Sequence, residues 1–477
     1  LHLSLRRQRQ MCIRDRCTTM GKLFGTNGIR GVANIELTPE FIAKIGVAVG
    51  SYFNGGKIIA GSDGRLTSPM LLSAVISGLI SAGCTVYNVG MAPTPTIQYT
   101  VKKNDVDGGV IITASHNPPK YNGIKVLGRD GVEIYRNEED QIEKIFFEEK
   151  FRRAAWNEIG ECYGLRNIFD SYLEGVKSHL NIDLIKKAGF RVVVDPGNGV
   201  GALCLPKLLQ SLNCKVYMIN AEIDGSFPSR PPEPRPENLN VLAETVKSLG
   251  ADLGVALDGD GDRSIFVDEK GNIHWGDKTF ALITKFFLKR NPQSIIVTPV
   301  SSSSLIKEIV EAYNGKLVLT KVGSVEVSHK MKELKAELGG EENGGVFYGP
   351  HIPVRDGTMT TGLILNLMAE VKSTLSQLIS ELPYYYIMKD KVECPHNIKG
   401  VVIDEIAKEF EGLPTEKIDG VKAYFQDKSA ILIRASGTEP AIRIYAEGKS
   451  REKVKKMVIQ YKALLKNLVH KMKSGKN

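Results

Sequence analysis

The sequence predicts an α/β protein of three related βαβ-type units with mainly parallel, mixed sheets, followed by a smaller C-terminal α+β domain. Three observations carry this. Short Val/Ile-rich runs alternate with stretches of helical apolar periodicity between residues 57 and 340. The order strand, helix, strand, helix, strand occurs three times, each time ending in a loop rich in polar side chains. Beyond about residue 375 the rhythm changes to longer strand-like runs closed by one helix.

In the first unit KIIAGSD (57–63) reads as a buried strand, followed by a helix from Ser68, the strand CTVYNVG, a helix over 94–102 and the strand GGVIIT. Its loop is Ala114-Ser115-His116-Asn117-Pro118. In the second, RVVVDPGNG (191–199) leads through a helix to CKVYMIN, a helix over 237–249 and the strand DLGVALD, with the loop Asp258-Gly259-Asp260-Gly261-Asp262-Arg263. In the third, SIIVTP (294–299), a helix after Ser304, KLVLT (316–320) and a helix over 325–335 reach Gly340 and the loop Glu341-Glu342-Asn343-Gly344-Gly345. Ligands of such sheets sit beyond the carboxyl ends of the strands, where all three loops fall. The Pro-rich FPSRPPEPRP (227–236) reads as a surface connection within the second unit. The runs PYYYIMKDKVECP, VKAYFQDKSAILIRAS and AIRIYAEG supply the strands of the C-terminal domain. The boundaries so drawn are 20–157, 158–257, 258–372 and 373–477, and 1–19 is expected to be a non-native or disordered leader before a natural start at Met20.

Composition narrows the function classes. The chain has 477 residues, 42% hydrophobic and 25% charged, enough apolar side chain for several cores. No uncharged apolar run approaches the roughly 18 residues of a membrane span. A net charge of +9 suggests nucleic acid until it is placed along the chain: residues 1–20 carry +4 and 449–477 carry +9, leaving −4 over 21–448. The basic excess sits at the two ends, so neither a nucleic-acid nor a membrane partner is expected. Cysteines at 12, 17, 84, 162, 204, 214 and 394 show no metal or redox spacing, which fits reduced thiols and a cytoplasmic protein.

The loops carry the chemistry. DGDGDR places carboxylates at 258, 260 and 262, a spacing that turns hard oxygens toward one point and favours Mg²⁺. An EF-hand is the nearest rival, but its sixth position requires Gly where Arg263 stands, and both flanks read as strands. TASHNP sets the Ser115 hydroxyl just beyond a buried strand. There is no G-x-S-x-G elbow, so with a carboxylate-bound cation opposite, the serine reads as a phosphoryl acceptor and donor. His116 reads either as a structural hydrogen bonder or as part of that chemistry, and Lys125 either as a solvated lysine or as a proton-transfer and charge-stabilising group. RASGTEPAIR combines Arg434 and Arg443 with the hydroxyls of Ser436 and Thr438 around Gly437, a phosphate cradle. GEENGG offers Glu341 and Asn343 to sugar hydroxyls, or makes a turn.

Together these motifs resemble the α-D-phosphohexomutase family over essentially all of 20–470. GTNGIRG (25–31) is similar to the family's opening segment, TASHNPPKYNGIK to its phosphoserine loop, DGDGDR to its metal loop, GEENGG to its sugar loop and RASGTEPAIR to its phosphate loop. The resemblance implies four domains around a central cleft. It implies that Ser115 carries the phosphoryl group and that Asp258, Asp260 and Asp262 hold one Mg²⁺ with it. Arg30, His116, Lys125 and Arg263 would surround the transferring group, Glu341 and Asn343 would contact the sugar, and Arg434, Ser436, Gly437, Thr438 and Arg443 would grip the other phosphate. The implied reaction passes from a hexose or hexosamine phosphate through a sugar bisphosphate, in a monomer or homodimer.

Within the family the segments are most similar to the branch that interconverts glucosamine 6-phosphate and glucosamine 1-phosphate. A phosphoglucomutase or phosphomannomutase of relaxed specificity, a phosphoserine-dependent sugar phosphatase and a non-catalytic sugar-phosphate-binding protein are the alternatives. Two departures bear on this. The family's Gly-Glu-x-Ser-Gly-His becomes GEENGG, with Asn343 for the Ser and Gly345 for the His, and GSDGR (61–65) has Ser62 where an Arg is usual while Arg65 remains.

Overall fold

The Val/Ile runs become the central strands of three sheets with one shared topology. The computed structural model describes residues 23–437 and 439–473; the expected leader 1–19 lies outside them. The first sheet has the order Ile29–Val32, Tyr121–Gly128, Gly108–Ile112, Lys57–Ser62, Thr85–Met91, Cys162–Gly164. The second is Ile273–His274, Ser264–Asp268, Leu253–Leu257, Arg191–Asp195, Lys215–Met218, and the third is Lys316–Thr320, Ile295–Pro299, Leu338–Gly340, Val346–Tyr348, Ile352–Arg355. In each, a parallel trio is centred on the strand that opens the unit's strand–helix alternation. Two antiparallel strands extend it on one side. The loops at 113–120, 258–263 and 341–345 are therefore equivalent turns, each joining the third parallel strand to its antiparallel neighbour.

That return shifts one boundary. The sequence reading ends the second unit at 257, but Ser264–Asp268 pairs back onto Leu253–Leu257 with Ser264 opposite Leu257, and Ile273–His274 adds to the same sheet. The 258–263 loop thus lies inside the second sheet, and the third unit opens with the helix Gly276–Arg290. A buried run such as SIFVD has the same apolar pattern whichever sheet accepts it, so periodicity alone does not place it.

The Pro-rich connection also departs from expectation. Phe227 and Arg230 within it are buried, and Arg230 donates to the Asp195 carboxylate (Nε to Oδ2, 2.8 Å), to the Asp195 carbonyl (3.1 Å) and to the Leu257 carbonyl (2.7 Å). It joins the ends of two parallel strands directly before the metal loop. Its charge is matched by Asp195, which is what makes burying it tolerable.

The second and third units share one apolar core that runs from Tyr172 and Val192 through Phe266 and Phe280 to Leu338 and Met368. The C-terminal sheet, Tyr386–Glu393, Ala441–Gly448, Ala430–Ala435, Val421–Tyr424 and Thr415–Glu416, is wholly antiparallel. The closing helix Arg451–Lys473 buries Val454, Met457, Val458, Tyr461, Leu465 and Val469 and leaves most of its lysines outward, the amphipathic pattern of a solvated face. Among the described residues no helix is long and apolar enough to cross a membrane.

Glu447 seats this domain on the third unit. Its carboxylate accepts from Ser304 N (2.9 and 3.0 Å), Ser303 Oγ (2.8 Å) and Ser304 Oγ (2.7 Å) at the start of the helix Ser304–Ala312, and Lys422 Nζ lies 3.2 Å away. A negative charge at a helix N-terminus is favourable, and bonds to a charged acceptor contribute about 1.5–3 kcal/mol. Glu447→Gln should therefore accelerate amide exchange along 441–448 and at 303–305 by about ten-fold or more while leaving the first sheet unchanged; equal protection in both proteins would contradict this anchoring role.

Candidate active site

Ser115 leaves the buried strand Gly108–Ile112 in a left-handed conformation, φ 50°. A residue with a Cβ pays roughly 1–3 kcal/mol there, so the loop must be held by its surroundings. Arg65 does much of this. Fully buried, its guanidinium donates to the carbonyls of Ser115 (2.8 Å), Asn117 (2.7 Å), Pro118 (2.9 Å) and Tyr121 (3.0 Å). Its Nε donates to Asp63 Oδ2 at 3.1 Å. Asp63 also accepts from Ser68 Oγ and Thr113 Oγ1, both at 2.7 Å, and Thr113 Oγ1 accepts from Ser115 N at 2.8 Å. A carboxylate, a guanidinium and two hydroxyls thus fix one serine backbone.

The Ser115 hydroxyl donates to Asp258 Oδ2 at 2.9 Å and lies 3.4 Å from His116 Nδ1. The approach of the two loops requires glycine at 259: a Cβ there would stand 2.7 Å from the Ser115 carbonyl oxygen. The carboxylates of Asp258, Asp260 and Asp262 are buried and bring ligand oxygens within 4.8 Å of one another. Burial and the other two aspartates raise the Asp258 carboxyl well above its ordinary range. Burial pushes Asp260 the same way, but Lys125 and the Thr94 hydroxyl, 2.7 Å from Oδ2, outweigh it and hold that carboxyl low.

This set fits a hard divalent cation. Asp260 Oδ1 and Asp262 Oδ1 are buried with no hydrogen-bond partner, an arrangement that is costly unless a cation is shared between them. All the donors are oxygens, the ligand type of Mg²⁺.

Cations surround the cluster. Lys125 Nζ lies 3.4 Å from Glu133 Oε1, 3.6 Å from Asp260 Oδ2 and 3.7 Å from Asp262 Oδ2. Burial works against its charge, but those three carboxylates more than offset this and keep it protonated. Arg263 Nη1 lies 3.5 Å from Glu233 and its Nε 3.7 Å from Asp262. Arg30 donates to Asn117 Oδ1 at 2.6 Å. Burial first, then Arg263, Arg30, Arg355 and Lys125, keep the His116 imidazole neutral well below its usual range.

Arg355 joins this cluster to the 341–345 loop, giving one fork arm to Asp262 Oδ2 (2.6 Å) and the other to Glu341 Oε2 (3.2 Å). It also explains Gly345, because a Cβ at that position would lie 2.4 Å from Arg355 Cδ. The arginine stem fills the space that a side chain at 345 would need. Asn343 Oδ1 accepts from Gly345 N at 3.2 Å, closing its own turn. A small polar cleft opens beside these groups, lined by Glu133, Asp262, Ser328 and Arg355.

In the C-terminal domain Arg434 and Arg443 face each other across paired strands. Asp419 holds Arg434 (Nη2 2.8 Å, Nε 3.1 Å) and accepts from Val322 N at 3.2 Å. Arg443 lies 3.4 Å from Glu439. Lys399 donates to the carbonyls of Ser436 (2.7 Å) and Glu439, and Ser436 Oγ accepts from Glu439 N at 3.2 Å. Thr438 lies outside the described residues. A Cβ at Gly437 would stand 3.4 Å from Thr26 Oγ1, so this turn reaches the opening GTNGIRG loop, whose Asn27 donates to Ser324 Oγ at 2.5 Å. The roles of Arg65, Arg230 and Arg355 have no counterpart among the sequence expectations. Arg65 stood inside a motif already noted, whereas the other two gave no signal beyond being arginines next to Pro or Asp.

A strained, buried hydroxyl against a carboxylate triad, ringed by fixed cations at equivalent turns of repeated α/β units, is an arrangement for phosphoryl transfer. Comparison with known proteins specifies it further. Models of the phosphoglucomutase/phosphomannomutase alpha/beta/alpha domains I, II and III match residues 21–153, 170–271 and 275–386, and that of the C-terminal domain matches 391–461. The chain belongs to the phosphoglucomutase/phosphomannomutase family and is a phosphohexomutase. It is 46% identical to a Thermococcus kodakarensis protein named phosphoglucomutase/phosphomannomutase, over 91% of this chain and 96% of that one. It is 44% identical to a Sulfurisphaera tokodaii protein named phosphoglucosamine/phosphogalactosamine mutase, over 94% and 99%. Among solved structures, a phosphoglucomutase/phosphomannomutase family protein from Burkholderia thailandensis superposes with a TM-score of 0.85 at 29% identity, over 94% of this chain and 97% of that one.

Proposed function

We propose that this enzyme interconverts glucosamine 6-phosphate and glucosamine 1-phosphate, with a phosphoryl group carried on Ser115 and a sugar bisphosphate as intermediate. The observation that carries the phosphoserine is the Ser115 hydroxyl, fixed in a left-handed turn 2.9 Å from Asp258. The choice of sugar is supported by likeness to the Sulfurisphaera protein over nearly its whole length.

Asp258, Asp260 and Asp262, with an oxygen on Ser115, are the residues to hold Mg²⁺, which supplies charge neutralisation at the transferring group. In the first half-reaction the P–O bond to Ser115 breaks as one to the sugar hydroxyl forms, and in the second a P–O bond to the sugar breaks as the one to Ser115 re-forms. The proton of the attacking hydroxyl ends on the oxygen that leaves, so none is gained or lost, and the neutral His116, whose Nδ1 lies 3.4 Å from the serine oxygen, orients that oxygen. Arg30, Lys125 and Arg263 oppose the charge of the phosphoryl oxygens. Glu341 and Asn343 contact ring hydroxyls, while Arg434, Ser436, Gly437, Thr438 and Arg443 grip the phosphate that stays. The bisphosphate turns end for end and returns the other phosphate, so one cradle and one sugar clamp serve two orientations. Such adjustment suits loops on separate units.

A second reading, relaxed sugar specificity, is favoured by the sugar loop itself. Gly345 offers no side chain, and the Asn343 carbonyl is engaged within its own turn, so little is left to read a C2 substituent. Measuring kcat/KM on glucosamine, glucose and mannose 1-phosphates, with released phosphate followed in parallel, separates the readings. Isomer formation fastest with the amino sugar is expected. Ratios within about ten-fold support relaxation, and a preference above about 10³ for one sugar excludes it. Stoichiometric phosphate without isomer would instead mark a sugar phosphatase.

A further inference from the structure

Glu341 and Glu342 are consecutive in the sugar loop, yet each pairs with a different unit. Glu341 is buried against Arg355. The Glu342 side chain reaches out of the third unit, and its Oε2 lies 2.8 Å from Lys389 Nζ. Lys389 belongs to the C-terminal domain: it sits on Tyr386–Glu393, opposite Tyr445 of the neighbouring strand. Because strand side chains alternate, Arg443, Tyr445 and Glu447 share one face of that strand. That face therefore carries a phosphate-cradle arginine, the ring beside Lys389 and the carboxylate that seats the domain. The ammonium of Lys389 also stands 5.4 Å from the ring centroids of both Trp275 and Tyr445, so two aromatic faces and a carboxylate cage it. An ordinary surface ion pair is weak because two long side chains must be ordered. Here the cage restricts the lysine before the carboxylate arrives, and cation–π attraction adds to the pair.

We infer that Lys389 is a positioning residue that couples the sugar loop to the phosphate cradle, so that seating a phosphate group between Arg434 and Arg443 sets the sugar loop through Glu342. The inference rests on the roles proposed above for the two loops.

Inorganic phosphate is a sufficient probe, used with the full-length protein and read by amide exchange. In wild type it should slow exchange both at 436–443 and at 341–345, by about three- to ten-fold at the sugar loop, the range expected of one caged ion pair. In Lys389→Gln the cradle should still respond and the sugar loop should not, while Lys389→Arg should restore the response. Glu342→Gln breaks the same contact from the other side and serves if Lys389→Gln fails to fold. In steady-state assays Lys389→Gln and Glu342→Gln should raise KM by similar factors with little change in kcat, and the double variant should be no worse than the stronger single one. A sugar loop that responds equally in Lys389→Gln, or one that does not respond in wild type, overturns the coupling. Failure of wild type to isomerise glucosamine 1-phosphate would instead count against the proposed substrate and leave the exchange result standing.

Discussion

Ser115→Ala should abolish isomerisation, lowering kcat by about 10⁴-fold or more, and should remove any phosphoryl group detected by intact mass after incubation with a sugar bisphosphate. The loss is one of chemistry and not of structure. No other hydroxyl within the described site is both bonded to the triad, 2.9 Å from Asp258, and next to an imidazole nitrogen at 3.4 Å. Losing a covalent nucleophile removes the route itself rather than a fraction of its stabilisation. The alanine fits the same left-handed turn, and the loop's other bonds run through backbone atoms to Arg65 and Thr113. The variant should therefore fold and bind sugar phosphate with a Kd near that of wild type. Retained phosphorylation after this substitution would move the carrier elsewhere and sink the proposed mechanism.

Asp258→Asn should change activity and stability in opposite directions. It keeps the shape that accepts from Arg263 N at 3.1 Å but removes a carboxyl whose ionisation burial and the other two aspartates, with ligand oxygens within 4.8 Å, make costly. Like charges gathered out of water repel and are costly to hold ionised. With a chelator present, the variant should unfold at a higher temperature than wild type. With Mg²⁺ the order should reverse, because wild type gains binding free energy that the variant has largely lost. Turnover should fall by about 10³-fold, as expected when a group that neutralises transition-state charge is removed. A thermal-shift titration with and without Mg²⁺ reads both effects. A variant no more stable than wild type in chelator would mean that Lys125, Arg263 and Arg355 already neutralise the triad.

Where sequence reasoning succeeded, the signal was local. The three strand–helix alternations depend on period and turn residues within a few positions, and the strands Ile295–Pro299 and Lys316–Thr320 fall within a residue of expectation. The triad was legible because alternate aspartates between two strands have few other uses. Where it failed, the deciding contact was distant in sequence. Arg230 is buried because Asp195 and Leu257 lie across a sheet from it, and nothing in FPSRPPEPRP announces that. Arg355 meets Asp262 across 93 residues of chain, and its stem fills the space beside Gly345, neither of which a local pattern encodes. The second sheet runs on past the metal loop because Ser264–Asp268 finds hydrogen-bond partners on Leu253–Leu257, a choice among sheets that an apolar pattern does not encode.

The sequence by itself determined the α/β architecture, the carboxylate triad, the serine and the basic turn, since each is a property of neighbouring residues and their spacing. Only the tertiary structure decided that Ser115 meets Asp258 across 143 residues of chain, that the 341–345 loop is tied to both the aspartate loop and the C-terminal domain, and that three arginines brace the turns. These contacts arise from packing whole units against one another, and their partners are chosen by shape and charge over distances that local periodicity does not reach.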